Sequence, residues 1–247
     1  YEIGTGDWSS DVALPIYARQ DQSLGAWEAE LTQALGMTVD HLSLYQLTIE
    51  DGTAFGDRYA AGKLRGLPDD DVAADMYALT QDICTEAGFA GYEVSNHAPV
   101  GAESEHNRIY WRYGDYAGIG PGAHGRLTLN GQRYATEAPL GPVQWLGQVA
   151  KTGNGDLQRV ALDADAQRVE FLLMGMRLDE GVDLRRQDIN KNDILLNNIN
   201  ALKDIGMVEQ VTDTLRVTAK GRPVLNAVLR KLLDDYPPAR ARIRSSS

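Results

Sequence analysis

Apolar residues recur at spacings of three and four in two early segments of the chain, which is the pattern of an amphipathic helix. The first segment starts at Ser23, continues through Trp27 and stops at Gly36. The second starts at the three aspartates 69–71, whose charges suit the positive end of a helix dipole, and stops at Gly88. The sequence therefore predicts one helix in each segment.

Short apolar segments follow each of these helices and predict buried strands at residues 41–47 and 91–95. Strands that alternate with helices are typical of a parallel sheet, so the fold class is α/β. In such sheets ligands bind beyond the carboxyl ends of the strands. Four polar residues are predicted to lie at that end of the sheet: Gln46, Thr48, Asn96 and His97.

The pattern changes from about residue 156. Helical periodicity at 166–176 and 193–205 precedes two short strands at 207–211 and 215–218, and a last helix is predicted at 223–233. The order helix, helix, hairpin, helix resembles a small winged-helix-like α+β domain.

Charge and composition restrict the possible partners of the chain. The 35 acidic residues outnumber the 24 basic ones and give a net charge of −11, which opposes binding to a nucleic-acid backbone. No apolar run reaches the eighteen or so residues that a transmembrane helix needs. The one cysteine excludes an internal disulfide and fits a reducing compartment, so we expect a cytoplasmic protein.

The most informative chemistry lies in two neighbouring motifs, HNRIYW at 106–111 and GIGPGAH at 118–124. A neutral histidine can ligate a metal, aromatic rings offer flat apolar faces, and glycines let backbone amides approach a ligand. The alternative is that Tyr110 and Trp111 are core aromatics, that His106 is a hydrogen-bonded loop residue, and that the glycines only shape a turn.

These motifs occur in the same order in the radical-SAM oxygen-independent coproporphyrinogen III oxidase-like family. The chain resembles that family from residue 16 to about residue 236, and in particular its heme-chaperone (HemW) branch. Five segments carry the resemblance: IYAR at 16–19, HLSLYQLTIE at 41–50, YEVSN at 92–96, HNRIYW at 106–111, and GDY at 114–116 with the glycine turn after it.

The resemblance implies a domain organisation. Residues 16–155 would form the C-terminal part of a partial (β/α) radical-SAM barrel that carries the HNxxYW and GIGPGAH motifs on loops. Residues 156–236 would form the family's C-terminal winged-helix domain, which covers the barrel. Residues 1–15 do not match and are predicted to be a foreign leader, and residues 237–247 are predicted to be a disordered tail.

The resemblance also implies the ligand, heme, and the residues that bind it. His106 is the candidate ligand of the heme iron, and Tyr110 or Trp111 would pack against the macrocycle. The candidate heme-binding set is His106, Asn107, Tyr110 and Trp111. Residues that would lie near the family's cofactor are Leu47, Thr48, Gly120, Gly122 and His124.

The N-terminal CxxxCxxC motif, which holds a 4Fe-4S cluster and S-adenosylmethionine in the family, has no counterpart here. Cys84 is the one cysteine, and its spacing predicts an inert thiol on the buried face of a helix. We therefore expect a truncated heme chaperone that lacks radical chemistry, is not catalytic alone, and passes heme to an unknown acceptor protein. A truncated sheet would expose a strand edge and favour self-association.

Two other functions stay open. The chain could be a fragment of an oxygen-independent coproporphyrinogen III dehydrogenase of porphyrin biosynthesis. It could also be a non-catalytic winged-helix module that binds a protein or DNA. The one feature that favours DNA is Lys220 with Arg222, because the basic cluster at 240–244 lies in the predicted disordered tail.

Overall fold

The computed structural model describes residues 15–49 and 52–236. The predicted tail at 237–247, and all of the predicted leader except Pro15, lie outside the described residues. The chain divides into two compact units, one up to Ser104 and one from Glu105 onward. The predicted domain boundary near residue 155 stays a prediction.

The described part of the first unit contains three helices, and the side chain of the residue before each helix caps its first turn. The helices are α1 (Leu24–Met37), α2 (Ala54–Ala60) and α3 (Asp70–Glu86). Ser23, Thr53 and Asp69 accept hydrogen bonds from backbone N–H groups in the first turns. Both helices that the periodicity predicts are confirmed, although α1 passes through Gly36 and ends one residue later.

Five short strands of the first unit form two small sheets. They are β1 (Ile16–Tyr17), β2 (Leu42–Ser43), β3 (Tyr45–Gln46), β4 (Ala90–Gly91) and β5 (Asn96–Ala98). Strands β1 and β3 pair in parallel, whereas β2, β5 and β4 pair antiparallel in that order. The predicted parallel arrangement is therefore present in one sheet and wrong for the other.

The predicted strand at 91–95 is also wrong over most of its length. Residues 92–95 form a bend between β4 and β5, and the Glu93 carboxylate holds it by accepting hydrogen bonds from the Ser95 amide and the Asn96 side chain. A local contact of this kind competes with strand pairing.

The core of the first unit forms where α1 and α3 meet. Trp27 is fully buried, stacks on Tyr17 with ring centroids 5.1 Å apart, and donates its indole N–H to the Thr80 hydroxyl at 2.8 Å. Cys84 is fully buried in the same cluster. The predicted position of its thiol on the buried face of a helix is confirmed.

The second unit begins with α4 (Glu105–Trp111), which precedes an antiparallel sheet. The sheet contains β6 (His124–Leu129), β7 (Gln132–Glu137) and β8 (Gln158–Ala161) in that order, and α5 (Pro142–Thr152) connects β7 to β8. Asn130 and Gly131 both have positive φ values and form the two-residue turn between β6 and β7.

The remainder of the second unit has the predicted helix, helix, hairpin, helix order. Its elements are α6 (Ala164–Gly175), β9 (Val182–Asp183), α7 (Asp193–Asp204), β10 (Val208–Val211), β11 (Thr214–Val217) and α8 (Leu225–Leu232). The two-residue strand β9 pairs with β11 and completes a three-stranded sheet that the sequence pattern did not indicate. The fold is thus a mixed α/β arrangement with a small α+β module at its end. Among the described residues, no helix is long and apolar enough to cross a membrane.

The buried hydrogen bond between Trp27 and Thr80 gives a test of this fold. Thr80→Val removes the acceptor of the indole N–H, and an unpaired buried donor costs about 1–3 kcal/mol of unfolding free energy. Thr32→Val is the matched control, because Thr32 makes the same hydroxyl-to-backbone bond within a helix but is exposed. Urea denaturation followed by circular dichroism should show a loss only for Thr80→Val, and equal midpoints would contradict the assignment.

Candidate functional site

The HNxxYW motif is helical, because it forms most of α4. The prediction that it lies on a loop is therefore wrong. Glu105 in the first turn and Arg108 in the last suit the helix dipole. The helix ends because Tyr113 adopts a left-handed backbone with φ of 61°, which lets the Gly114 amide return to the Ile109 carbonyl at 2.8 Å.

Helical spacing brings together two of the predicted site residues, His106 and Tyr110. Residues four apart share a helix face, and these two rings meet edge to face with centroids 4.7 Å apart. The His106 side chain is exposed, so its imidazole is accessible to a ligand. Tyr110 is half-buried beneath it.

Tyr116 extends this contact into a row of three rings. Its ring lies 4.4 Å from the ring of Tyr110, again edge to face. Its backbone exchanges two hydrogen bonds with Arg126, at 2.8 and 2.9 Å, which fixes it to β6. Edge-to-face pairs are worth about 0.5–1.5 kcal/mol each, so this row, formed by His106, Tyr110 and Tyr116, holds the imidazole in place.

A buried arginine anchors the segment between α4 and β6. Arg133 on β7 is 6% exposed, and its guanidinium contacts the Asp115 carboxylate at 2.6 Å and the Gly114 carbonyl at 2.9 Å. The same guanidinium lies over the Tyr113 ring at 3.8 Å. These contacts bind three consecutive residues, 113–115, to the sheet.

A second ion pair connects this region to α6. Arg126 donates to the Glu170 carboxylate at 2.7 Å, and the Tyr113 hydroxyl donates to the same carboxylate at 3.2 Å. Burial, with the negative charge of Glu170, raises the pKa of Tyr113 well above its usual value, so this hydroxyl remains a donor. Burial also raises the pKa of Tyr116.

Trp111 does not share the face of His106 and Tyr110. Consecutive residues of a helix point about 100° apart, and the Trp111 ring instead lies beneath the Arg177 guanidinium at 5.2 Å. Its indole N–H is buried and has no hydrogen-bond partner within the described ranges. Of the two aromatics predicted to pack on heme, Tyr110 is thus the one beside His106. Asn107 is half-buried.

The GIGPGAH motif forms a tight turn into β6. Gly120 and Gly122 have φ values of 111° and 70°, which side chains rarely adopt, and the Gly122 amide donates to the Pro139 carbonyl at 2.8 Å. His124 starts β6 and is exposed. The turn is thus present as predicted, and its contact with a cofactor stays a prediction.

Leu47 and Thr48, the other residues predicted to lie near the cofactor, belong to the first unit. The Leu47 amide donates to the Tyr17 carbonyl at 2.8 Å, and the Thr48 side chain is exposed beyond β3. These positions place them after a strand end, as predicted. Their role towards a cofactor stays a prediction.

Asn96 and His97 lie inside β5 and not beyond a strand end, so their predicted placement at a ligand-binding edge is wrong. Asn96 accepts a hydrogen bond from the Ser43 hydroxyl. His97 is 1% exposed, and burial, with the neighbouring His41, lowers its pKa to about 4. His97 is therefore neutral at pH 7. His41 contacts the Tyr92 hydroxyl at 2.9 Å through Nε2, which agrees with a structural role.

The residues present do not fit a 4Fe-4S cluster. Such clusters need three or four thiolates, and burial raises the pKa of Cys84, the one thiol of the sequence, to about 12. Across residues 15–49 and 52–236, no group of three or more histidine, cysteine or acidic side chains is arranged to hold a metal.

Reasoning from the sequence missed Tyr116 as a member of the ring row and Arg133 as its anchor. Tyr116 belongs to the GDY motif, which the resemblance included, so the motif was a usable signal. Arg133 gave no such signal, because it sits in a polar strand, 18 positions away from its partner Asp115.

Comparisons with known proteins identify relatives of this chain. The family described as HemN C-terminal domain matches residues 162–224. Radical S-adenosyl methionine domain-containing protein 1, mitochondrial, from Bos taurus is 36% identical over 92% of this chain and 53% of its own length. Heme chaperone HemW from Escherichia coli is 33% identical over 88% of this chain and 56% of its own length.

A solved structure shares the fold. Coproporphyrinogen III oxidase (HemN) from Escherichia coli, described as a radical SAM enzyme, superposes with a TM-score of 0.67 at 18% identity. The match covers 90% of this chain and 54% of that chain. This chain thus spans about half the length of the relatives it matches.

The buried arginine gives a stability test. Asp115→Asn removes the carboxylate that faces Arg133. Because Asp115 is partly exposed, we expect the free energy of unfolding to fall by about 1–3 kcal/mol, which is less than for a fully buried ion pair. Asp156→Asn is the control, since its pair with Arg159 joins residues three apart and the arginine is exposed. In urea titrations the free energy of unfolding of the control variant should fall by less than about 1 kcal/mol. Similar losses for both variants would refute an anchoring role.

The thiol chemistry gives a second test. Anaerobic reconstitution of this chain with iron and sulfide should produce no stoichiometric cluster absorbance, because one buried thiol cannot replace a set of thiolates. Iron should be assayed after desalting, with Cys84→Ala as the matched variant. About four irons per chain that disappear in Cys84→Ala would overturn this reading.

Proposed function

The chain belongs to the radical-SAM family that includes HemW-like and HemN-like proteins, and we propose that it binds heme and passes it to an acceptor protein. The observation that carries the proposal is the exposed His106 imidazole, which packs against the ring of Tyr110, itself packed against Tyr116. In the family that the chain resembles, the motif that contains this histidine is a candidate heme-binding element, which supports the proposal.

The chemistry of the ring row supports a role in heme binding. Imidazole is a common axial ligand of heme iron, and a porphyrin presents a flat apolar face that suits an adjacent aromatic ring. Tyr110 is the ring next to the imidazole, so it is the candidate for contact with the macrocycle. An exposed ligand also suits transfer, since a carrier must release heme to its acceptor.

Relatives named heme chaperone HemW support the chaperone over the dehydrogenase. They share 33–34% identity with this chain over 88% of its length. The likeness to coproporphyrinogen III oxidase rests on fold at 18% identity.

Binding of DNA by the C-terminal module has less support. Residues 162–224 match the HemN C-terminal domain, and the chain carries a net charge of −11. Lys220 donates to the Ile205 carbonyl, and Arg222 donates to the Arg177 carbonyl, so the two basic residues have structural contacts.

Heme titration tests the proposal. Wild-type protein should shift the Soret band on addition of hemin, and His106→Ala should weaken the affinity at least tenfold, about 1.4 kcal/mol, because the iron loses its ligand. His124→Ala is the matched control, since it removes the other exposed histidine of the second unit. His41→Ala tests the histidine read as structural.

Both control variants should keep the Soret shift nearly intact. The assignment of His106 fails if His41→Ala or His124→Ala has the same effect as His106→Ala. The proposal of heme binding fails if folded wild-type protein, checked by circular dichroism, gives no shift.

A further inference from the structure

Helix α4 carries an apolar side chain beside the exposed imidazole. Ile109 follows His106 by three positions, and side chains at that spacing lie on one face of a helix. Ile109 is 44% exposed, so much of its apolar surface is in contact with water. Tyr110 lies on the other flank of His106 and meets it edge to face. The imidazole thus stands between one aromatic and one aliphatic side chain.

The charged side chains of this segment lie away from the imidazole. At about 100° per residue, three of them project about 100–160° away from His106 around the helix axis: Glu105, Arg108 and Arg112. The Arg112 guanidinium also binds the Glu180 carboxylate at 2.7 Å. The side chains that flank the imidazole are therefore uncharged, and they form a surface that suits an apolar ligand.

The chain around Ile109 holds this side chain in place. The Ile109 carbonyl accepts a hydrogen bond from the Gly114 amide at 2.8 Å. A Cβ atom on residue 114 would lie 2.9 Å from that carbonyl oxygen and 3.1 Å from the Ile109 Cγ2 atom, so glycine allows this close approach. A β-branched side chain in a helix also has one strongly preferred χ1 angle. Ile109 therefore loses little conformational entropy when a ligand covers it.

We propose that Ile109 contacts the macrocycle of a heme whose iron His106 ligates, an inference that rests on the proposed binding of heme. An axial imidazole stands roughly perpendicular to the porphyrin plane, so side chains that flank it on the helix meet the same face of the macrocycle. A lone imidazole ligates several transition metals. An apolar neighbour adds affinity only for a metal carried in a flat apolar ring. Ile109 is thus a residue that determines specificity for a metalloporphyrin over a free metal ion.

Hemin titration of Ile109→Gln tests the contact. Glutamine is a good helix former, so the variant replaces apolar surface with polar surface and keeps α4 helical. Because 44% of Ile109 is open to a ligand, we expect the hemin concentration at half saturation to rise about three- to tenfold. The Soret maximum at saturation should match that of wild type, since His106 still ligates the iron.

Ile194→Gln is the matched control. Ile194 is also an isoleucine on a helix of the second unit, α7, and it is 41% exposed. This variant should bind hemin as tightly as wild type does. Circular dichroism should show that both variants are folded. If Ile109→Gln does not fold, Ile109→Ala makes the same comparison with the residue that best suits a helix.

The outcomes separate this inference from the proposed function. If wild-type protein gives no Soret shift, heme binding is wrong and the contact of Ile109 is wrong with it. If wild type binds hemin and Ile109→Gln binds it equally well, only the contact of Ile109 is wrong. Equal weakening by Ile194→Gln would mean that hemin adsorbs to any exposed apolar side chain, which overturns a specific contact. A Soret maximum at saturation that moves as in His106→Ala would place the effect on the imidazole and would also overturn the inference.

Discussion

The contact between the buried Arg133 guanidinium and the segment that follows α4 is the interaction on which the site depends. A charge withdrawn from water must find acceptors, and here the Asp115 carboxylate, the Gly114 carbonyl and the Tyr113 ring supply them. The three acceptors belong to consecutive residues, so the contacts of one arginine fix the whole turn. This turn sets the position of Tyr116. Tyr116 packs against Tyr110, and Tyr110 packs against His106, so the turn also sets the position of the imidazole.

Local sequence signals predicted the helices of the first unit well. The strands were predicted less well, because their pairing depends on contacts between residues that are distant in sequence. Periodicity with a capping residue identified α1 and α3, because both signals act within one turn. Residues 92–95 fit a strand by composition, yet the side chain of Glu93 makes them a bend. The pairing of β9 with β11 joins residues about thirty positions apart, and no local pattern reports such a contact.

The same difference holds for the candidate site: contacts within one helix follow from the sequence, and contacts between residues far apart in the sequence do not. His106 and Tyr110 could be placed together from their spacing once α4 is known to be helical. A helix of seven residues is too short to show a periodic apolar face, so the sequence pattern could not correct the loop that the resemblance implied. Tyr116 joins the row only because the left-handed backbone of Tyr113 turns the chain, and the ion pairs that hold it connect residues 18 to 44 positions apart.

The boundary between the two units falls just ahead of His106, which is the second residue of the second unit. Tyr110, Tyr116, Arg133 and Glu170 belong to that unit as well. The imidazole and the residues that support it therefore lie in one continuous segment of the sequence. A substitution upstream of Glu105 therefore leaves each of these five side chains unchanged.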